Sequence, residues 1–179
     1  MLAAEAEALA PGRALDLGCG EGGDAVWLAQ RGWQVTAVDV APVALERGAA
    51  HAAEAGIEGI TWEHHDLART FPDGAYDLVS AQFFQSPIEL PRDEVLHRAA
   101  AAVAPRGRFI MVSHAAAPSW SEHAHVQFPT PEEELASLAL DPAEWEVLRC
   151  EVAERTGTGP DGQAGGMLDA VVLARRRPA

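Results

Sequence analysis

The apolar positions of the chain change period in a regular way, and the changes mark its elements. Ala14-Leu15-Asp16-Leu17 is a short apolar run with one polar interruption, long enough for a parallel strand buried on both faces. Gly18 and Gly20 follow at once, and Ala25, Val26, Leu28 and Ala29 then recur at helical spacing. Arg31-Gly32 closes that helix with a cation in the last turn and a glycine just past it. Gln34 to Val38, rich in β-branched residues, is a second strand that ends on Asp39. Strand, glycine loop, helix and strand thus follow one another within 26 residues, Ala14 to Asp39.

The rest of the chain continues the alternation. Leu2 to Ala10 is a strong helix former stopped by Pro11-Gly12. A helix opened by Pro42 runs to Gly56, and Ile60 to His65 alternates as a third strand. Phe71-Pro72-Asp73-Gly74 is a turn, and Tyr76 to Phe83 is a fourth strand. Leu96, Ala99, Ala100 and Val103 share one helix face, ended by Pro105-Arg106-Gly107, and Arg108 to His114 is a fifth strand. Ala115 to Pro131 is a long loop, the kind that carries function in a compact domain. Thr130 is set as N-cap, with Glu133 at the capping-box position, for an acidic helix over Pro131 to Leu140. Glu144 to Thr156 and Met167 to Arg175 are two further strands, joined through the loop Gly157 to Gly162 with no helix between them. We find no internal repeat and no dividing linker, so residues 1–179 are expected to form one domain.

Composition narrows the partners. The net charge of −14 opposes a non-specific nucleic-acid surface and favours a small-molecule acceptor. Cys19 and Cys150 show no metal or disulfide spacing. No apolar run approaches the ~18 residues of a membrane span, and no signal peptide is visible, so the expectation is a cytoplasmic protein that binds neither membrane nor nucleic acid. His64 and His65 are adjacent and point to opposite strand faces, which suits structural roles. His123 and His125 form a His-x-His pair, but no carboxylate or cysteine stands at a recognisable ligand spacing, so no metal is expected.

The candidate chemistry lies in the glycine loop. A carboxylate at the tip of the second strand, about 20 residues after such a loop, suits a bidentate grip on ribose hydroxyls. Gly18, Gly20 and Gly23 also satisfy the dinucleotide pattern G-x-G-x-x-G, so an NAD-dependent oxidoreductase is one reading. Pyrophosphate, however, needs a site that favours negative charge, and Asp16, Glu21 and Asp24 crowd this loop. Three carboxylates suit a cationic ligand better. Asp16-Leu17-Gly18-Cys19-Gly20-Glu21-Gly22 resembles motif I of the class I S-adenosylmethionine (SAM) dependent methyltransferases, whose cofactor carries a sulfonium and an ammonium.

The resemblance extends over residues 12 to 114. "YDLVSAQF" is similar to the family's fourth strand, and "AVAPRGRFIMVSH" to its L-x-P-G-G-x-L segment, with Arg106 where the first glycine usually sits and Gly107 expected to keep the turn. It implies a Rossmann-like α/β fold: a seven-stranded, mostly parallel sheet with the last strand antiparallel and helices on both faces. It also implies SAM as cofactor. Asp16, Gly18, Cys19 and Gly20 would hold the methionine side, Asp39 and Val40 the ribose, Asp66 and Leu67 the adenine, and Gln82 would flank the methionine. The rival reading of Asp66 is a cap on the turn toward Arg69. Phe83, Phe84, Trp120 and His123 are substrate-side candidates, although an aromatic pair such as Phe83-Phe84 is often simple packing. His114 is a candidate base.

Within the family, the glycine loop and "AVWLAQRGWQVTAVDVAPVALERG" look most like the tellurite-resistance and thiopurine methyltransferase branch, which points to a soft sulfur, selenium or tellurium nucleophile. Such an anion needs no base; a protonated acceptor does. Ser86-Pro87-Ile88 does not supply the Asn/Asp-Pro-Pro-aromatic motif of amino-methylating nucleic-acid enzymes. The family commonly carries helices ahead of the first strand that cover the cleft, and the resemblance implies a short or missing lid here. A scaffold that binds SAM or a nucleoside without turnover is the remaining alternative.

Overall fold

The fold is described from a computed structural model, over residues 2–84, 90–118, 120, 127–159, 161–162 and 164–179. The helices are α1 (Leu2–Ala6), α2 (Gly23–Ala29), α3 (Pro42–Glu54), α4 (Arg92–Ala101) and α5 (Pro131–Ser137). The strands are β1 (Arg13–Leu17), β2 (Gln34–Asp39), β3 (Ile60–His64), β4 (Tyr76–Gln82), β5 (Val103–His114), β6 (Trp145–Thr158) and β7 (Ala164–Arg176). They form one sheet in the order β3-β2-β1-β4-β5-β7-β6. β1 to β5 pair in parallel, while β7 runs antiparallel between β5 and β6. The expected sheet, with its antiparallel C-terminal insertion, is the observed one.

Strand alternation divides the core into two layers, one on each face of the sheet. Leu15, Leu17, Val79, Ala81, Phe109, Met111, Val172 and Ala174 pack with Val95, Leu96 and Ala99 of α4 and with Leu138 just past α5. Ala14, Leu78, Ile110, Val112, Val171 and Leu173 pack on the opposite face with Leu2 and Ala6 of α1 and Ala25 and Leu28 of α2. Asp16 shares the parity of Ala14, so it points to the α2 side, and it is buried.

Several boundaries move. Val103 is buried as expected, but it opens β5 instead of closing α4. The expected helix over residues 2–10 forms only to Ala6, and the acidic helix stops at Ser137. Its capping box is present, with Thr130 Oγ1 accepting the Glu133 N–H at 3.2 Å. The C-terminal hairpin is longer than its apolar run, since pairing continues to Thr158↔Ala164.

The turn before Arg108 also differs from expectation. The left-handed residue is Arg106, at φ 70°, not Gly107. Gly107 is needed for a different reason. A Cβ there would stand 2.8 Å from the Ala104 carbonyl oxygen and 2.9 Å from that of Tyr76.

Candidate functional site

The strand order reverses between β1 and β4, and in open α/β sheets the crevice at that reversal, outside the strands' carboxyl ends, is where ligands sit. Here a cleft of about 290 Å³ lies at that place, lined by Asp16, Gly18, Cys19, Gly23, Asp24, Gln82 and Phe83. Volume alone does not select it. A larger concavity, about 400 Å³, has Arg106, Arg108 and Arg175 among its lining, with Arg108 where β5 resumes its pairing with β4 after the turn, away from the strands' carboxyl ends. It has neither the glycine loop nor Asp16 and Asp24, and its carboxylate, Glu146, is paired with Arg175.

Gly18, Gly20 and Gly22 turn the loop through the left-handed region, with φ of 66°, 55° and 77°. Gly22 and Gly48 also leave room for the Trp62 indole, which a Cβ at either position would strike. Gly23, third in the dinucleotide pattern, has open space beside it. In a dinucleotide site that glycine exists to let helix and strand pack closely. The position has no such task here, which separates this loop from the dinucleotide pattern that it satisfies in letters.

The loop is tied to β2 through Asp39. Its Oδ2 accepts the Gly20 N–H at 2.9 Å, and its Oδ1 accepts the Ala41 N–H at 2.8 Å. Each oxygen keeps a further lone pair for a ligand hydroxyl. Val40, next in the chain, is exposed, and its carbonyl stands 3.1 Å from His64 Nε2. His65 bonds Thr70 and Glu63, so both histidines have structural partners.

Asp16 is the unusual group. It is 2 % exposed, and its Oδ2 has no hydrogen-bond partner among the described residues. Burial first, then the nearby Asp24 and Asp39, push its carboxyl well above the usual carboxylate range. Burial likewise raises Asp24. The Cys19 thiol is pushed up to about 12 by burial and by Asp16 and Asp39, which disfavours the thiolate that a nucleophile needs. A buried carboxylate with a vacant acceptor oxygen, among other acidic groups, fits a cationic ligand. An ammonium there would relieve the desolvation and the repulsion together. Asp16 would hold the ammonium end of SAM, and Asp39 its ribose. The chemistry SAM supplies is an electrophilic methyl on cationic sulfur.

The other expected residues are placed unevenly. Gln82 lines the cleft and donates to Ser80 Oγ at 3.1 Å. Phe83 lines it too, in a left-handed conformation at φ 50°, which is strained for an aromatic residue. The Phe84 ring packs under Gly18 and against the α4-side core. Asp66 and Leu67 are not among the lining residues. Leu67 is buried in the core, while Asp66 accepts from the Ala68 N–H at 3.2 Å and pairs with Arg69 at 3.3 Å, as the cap reading has it. Trp120 lies against Gly157 and Gly165 of the β6–β7 hairpin. His123, and with it the His-x-His pair and the Ser86-Pro87-Ile88 segment, lie outside the described residues. No described group of three or more His, Cys, Asp or Glu side chains is placed to hold a metal ion.

Two residues near His114 were not singled out by sequence. Asp169, fully buried in β7, has its Oδ1 at 3.4 Å from His114 Nδ1. Its Oδ2 accepts from Arg155 Nε at 2.5 Å. The available signal was a lone carboxylate ahead of the apolar run Ala170 to Ala174.

Comparisons agree with this geometry. The chain is 34% identical over 104 residues to a 2-heptyl-1-hydroxyquinolin-4(1H)-one methyltransferase of Mycobacteroides abscessus, covering 56% of this chain and 45% of that one. It is 35% identical over 124 residues to the ribosomal RNA small subunit methyltransferase C of Chromohalobacter salexigens, covering 65% and 36%. The chain therefore spans less than half the length of these curated relatives. The crystal structure of TehB from Haemophilus influenzae superposes with a TM-score of 0.73 at 19% identity, over 98% of this chain and 61% of that one, and so shares the fold. The model of a methyltransferase domain matches residues 14–107, just over half of the chain. The chain belongs to that family, the SAM-dependent methyltransferases.

Proposed function

We propose that this protein transfers the methyl group of SAM to a small-molecule acceptor held beside the carboxyl ends of β4 and β5. The observation that carries the reading is the unpartnered, buried Asp16 Oδ2 in the glycine-loop crevice. A sulfonium cofactor is already activated, so the protein's main task is to hold donor and acceptor in line. Asp16, Gly18, Cys19, Gly20, Asp39, Val40 and Gln82 form the cofactor side. Asp66, half exposed, keeps lone pairs beside its Ala68 and Arg69 partners for the adenine amino group, with Leu67 next to it in the chain. Phe83 is the substrate-side residue with most support, since it lines the crevice and is strained.

The acceptor class is the finer question. The likeness of the glycine loop to the tellurite-resistance branch supports a sulfur, selenium or tellurium nucleophile. The quinolone relative supports an aromatic N-hydroxyl acceptor. The ribosomal RNA relative puts RNA among the acceptors to be screened, against which stands the net charge of −14. No described helix is long and apolar enough to cross a membrane. The free thiols of Cys19 and Cys150 support a reducing, cytoplasmic setting. The helix α1 packs on the α2 side of the core and pairs Glu5 with Arg149, and none of its described residues lines the crevice, which supports a single domain whose cleft is not covered by that helix.

A screen with labelled SAM across thiols, tellurite, selenite, amines, hydroxylated aromatics and RNA tests the proposal. Transfer to at least one small molecule is expected. SAM binding with no transfer to any acceptor would favour the scaffold reading, and NAD binding without SAM binding an oxidoreductase.

A further inference from the structure

We propose that His114 is the general base of this site, that Asp169 is its positioning residue, and that the acceptor is accordingly an aromatic molecule carrying a protonated hydroxyl. The inference rests on the methyltransferase reading above and deepens it. His114 closes β5 at the same sheet edge as the glycine loop. Its ring stands 4.5 Å, centroid to centroid, from that of Phe83, which lines the cofactor crevice. Phe128 meets it edge-on at 6.2 Å. The imidazole therefore has aromatic neighbours on two sides and remains about one-third exposed.

The tautomer follows from the partner. A carboxylate can only accept, so Nδ1 of the neutral ring must carry the hydrogen that faces Asp169. That leaves Nε2 as the ring nitrogen whose lone pair can take a proton. Among the described residues, the charged groups facing the ring are Asp169 from β7 and, behind it, Arg155 from β6. Register explains the first, since His114 and Asp169 are direct partners across the β5–β7 ladder. Arg155 pairs with the fully buried Asp169, and its guanidinium lies 5.4 Å from the Phe83 ring centroid. Phe83, His114, Asp169 and Arg155 thus form a closed ring of contacts that begins at the cofactor crevice. A buried carboxylate clamped by arginine and turned toward an exposed imidazole has no packing purpose that an alanine would not serve better.

In the step, the acceptor hydroxyl gives its proton to His114 Nε2 while its oxygen forms the new bond to the methyl carbon. The carbon–sulfur electron pair leaves with the sulfur, which becomes a neutral thioether. The imidazolium is balanced by Asp169 and releases its proton to solvent afterwards. A soft anion would need none of this apparatus.

The test uses the full chain with labelled SAM and two probes at neutral pH, phenol, which is protonated, and pentafluorophenol, which is ionised. Wild type is expected to methylate both. His114→Gln and Asp169→Asn are expected to lose on the order of 100-fold or more on phenol, the size of a general-base contribution, and only severalfold on pentafluorophenol. Nitrogen-15 NMR of the cofactor-free protein gives an independent readout: His114 should be in the Nδ1–H tautomer in wild type and lose that preference in Asp169→Asn. Because His114 is partly exposed, its variant stays folded even if the buried Asp169 position does not tolerate change. Equal losses on both probes, transfer confined to the ionised probe or absent from both, or an Nε2–H tautomer in wild type, would overturn the base assignment. Calorimetric SAM binding that persists in that event leaves the cofactor reading standing, whereas absent SAM binding removes that reading first.

Discussion

Asp39 and Gly20 fix each other: the carboxylate at the end of β2 accepts the loop N–H at 2.9 Å, so the residue expected to hold the ribose also sets the shape of the glycine loop. Replacing Asp39 with alanine removes the ribose acceptor and the loop's anchor together. We expect SAM affinity to fall by about 1.5–3 kcal/mol, the range of hydrogen bonds to a charged group. Isothermal calorimetry on Asp39→Ala checks this, and an unchanged dissociation constant would remove the ribose role.

Asp16 carries an opposite signature. Its folded-state carboxyl is raised by burial and by Asp24 and Asp39, so the folded chain binds a proton more tightly there than the unfolded chain. That contribution to stability is fully present below the ordinary carboxylate range and is lost as pH rises through the raised value. Above the ordinary carboxylate range the buried Asp16 carboxyl therefore burdens the cofactor-free protein. Asp16→Asn should therefore raise the melting temperature of the free protein at neutral pH and flatten its decline with pH, while weakening SAM binding by about 1.5–3 kcal/mol. Thermal melts across pH, with and without SAM, check both signs.

At the start of β5, Arg106 occupies a left-handed conformation, and Gly107 sits where backbone oxygens leave no room for a Cβ. Left-handed backbone costs an L-residue about 1–2 kcal/mol, and the extra freedom of unfolded glycine returns part of that. Arg106→Gly is expected to stabilise by about 0.5–1 kcal/mol. Gly107→Ala should destabilise by about 1–3 kcal/mol, as overpacking does. Urea denaturation of the two single variants measures the contrast.

Glu134 of α5 is 2 % exposed and faces Arg92 of α4, with Oε2 2.8 Å from Nη2. The distance is that of an ion pair, but neither Glu134 oxygen has an aligned hydrogen-bond donor among the described residues. Arg92 also donates to the Phe84 carbonyl at 3.1 Å, which links both helices to the residue beneath Gly18. Removing one partner of a buried pair costs about 3–5 kcal/mol, less where one side is partly exposed, as Arg92 is. Glu134→Ala should therefore destabilise by about 2–3 kcal/mol in chemical denaturation, and the double variant Arg92→Met with Glu134→Leu should regain most of it.

Local pattern carried the first half of the fold. From Ala14 to Asp39 each element follows directly on the last, so strand, loop and helix periods are read without knowing any distant partner. The mostly parallel sheet and its antiparallel end were implied by a family resemblance over residues 12 to 114. What stayed hidden depends on distant pairing. Asp169 meets His114 across 55 residues, and only the β5–β7 register brings them together. In Glu132-Glu133-Glu134, composition does not reveal that the third is buried while the second closes a capping box. Arg106 escaped because a neighbouring glycine offered an easier site for the left-handed turn. Val103 fits a helical face and a strand start equally well, and its pairing with Tyr76 decides the matter.

The account depends on an acidic crevice, built by Asp16 and Asp39 around the glycine loop, that accepts a cationic adenosyl ligand. Calorimetric titration of the purified chain with SAM, S-adenosylhomocysteine and NAD measures this directly. The account predicts one site for SAM and for S-adenosylhomocysteine, with SAM affinity weakened in Asp16→Asn, and no binding of NAD. Saturable NAD binding with no heat from SAM would contradict it.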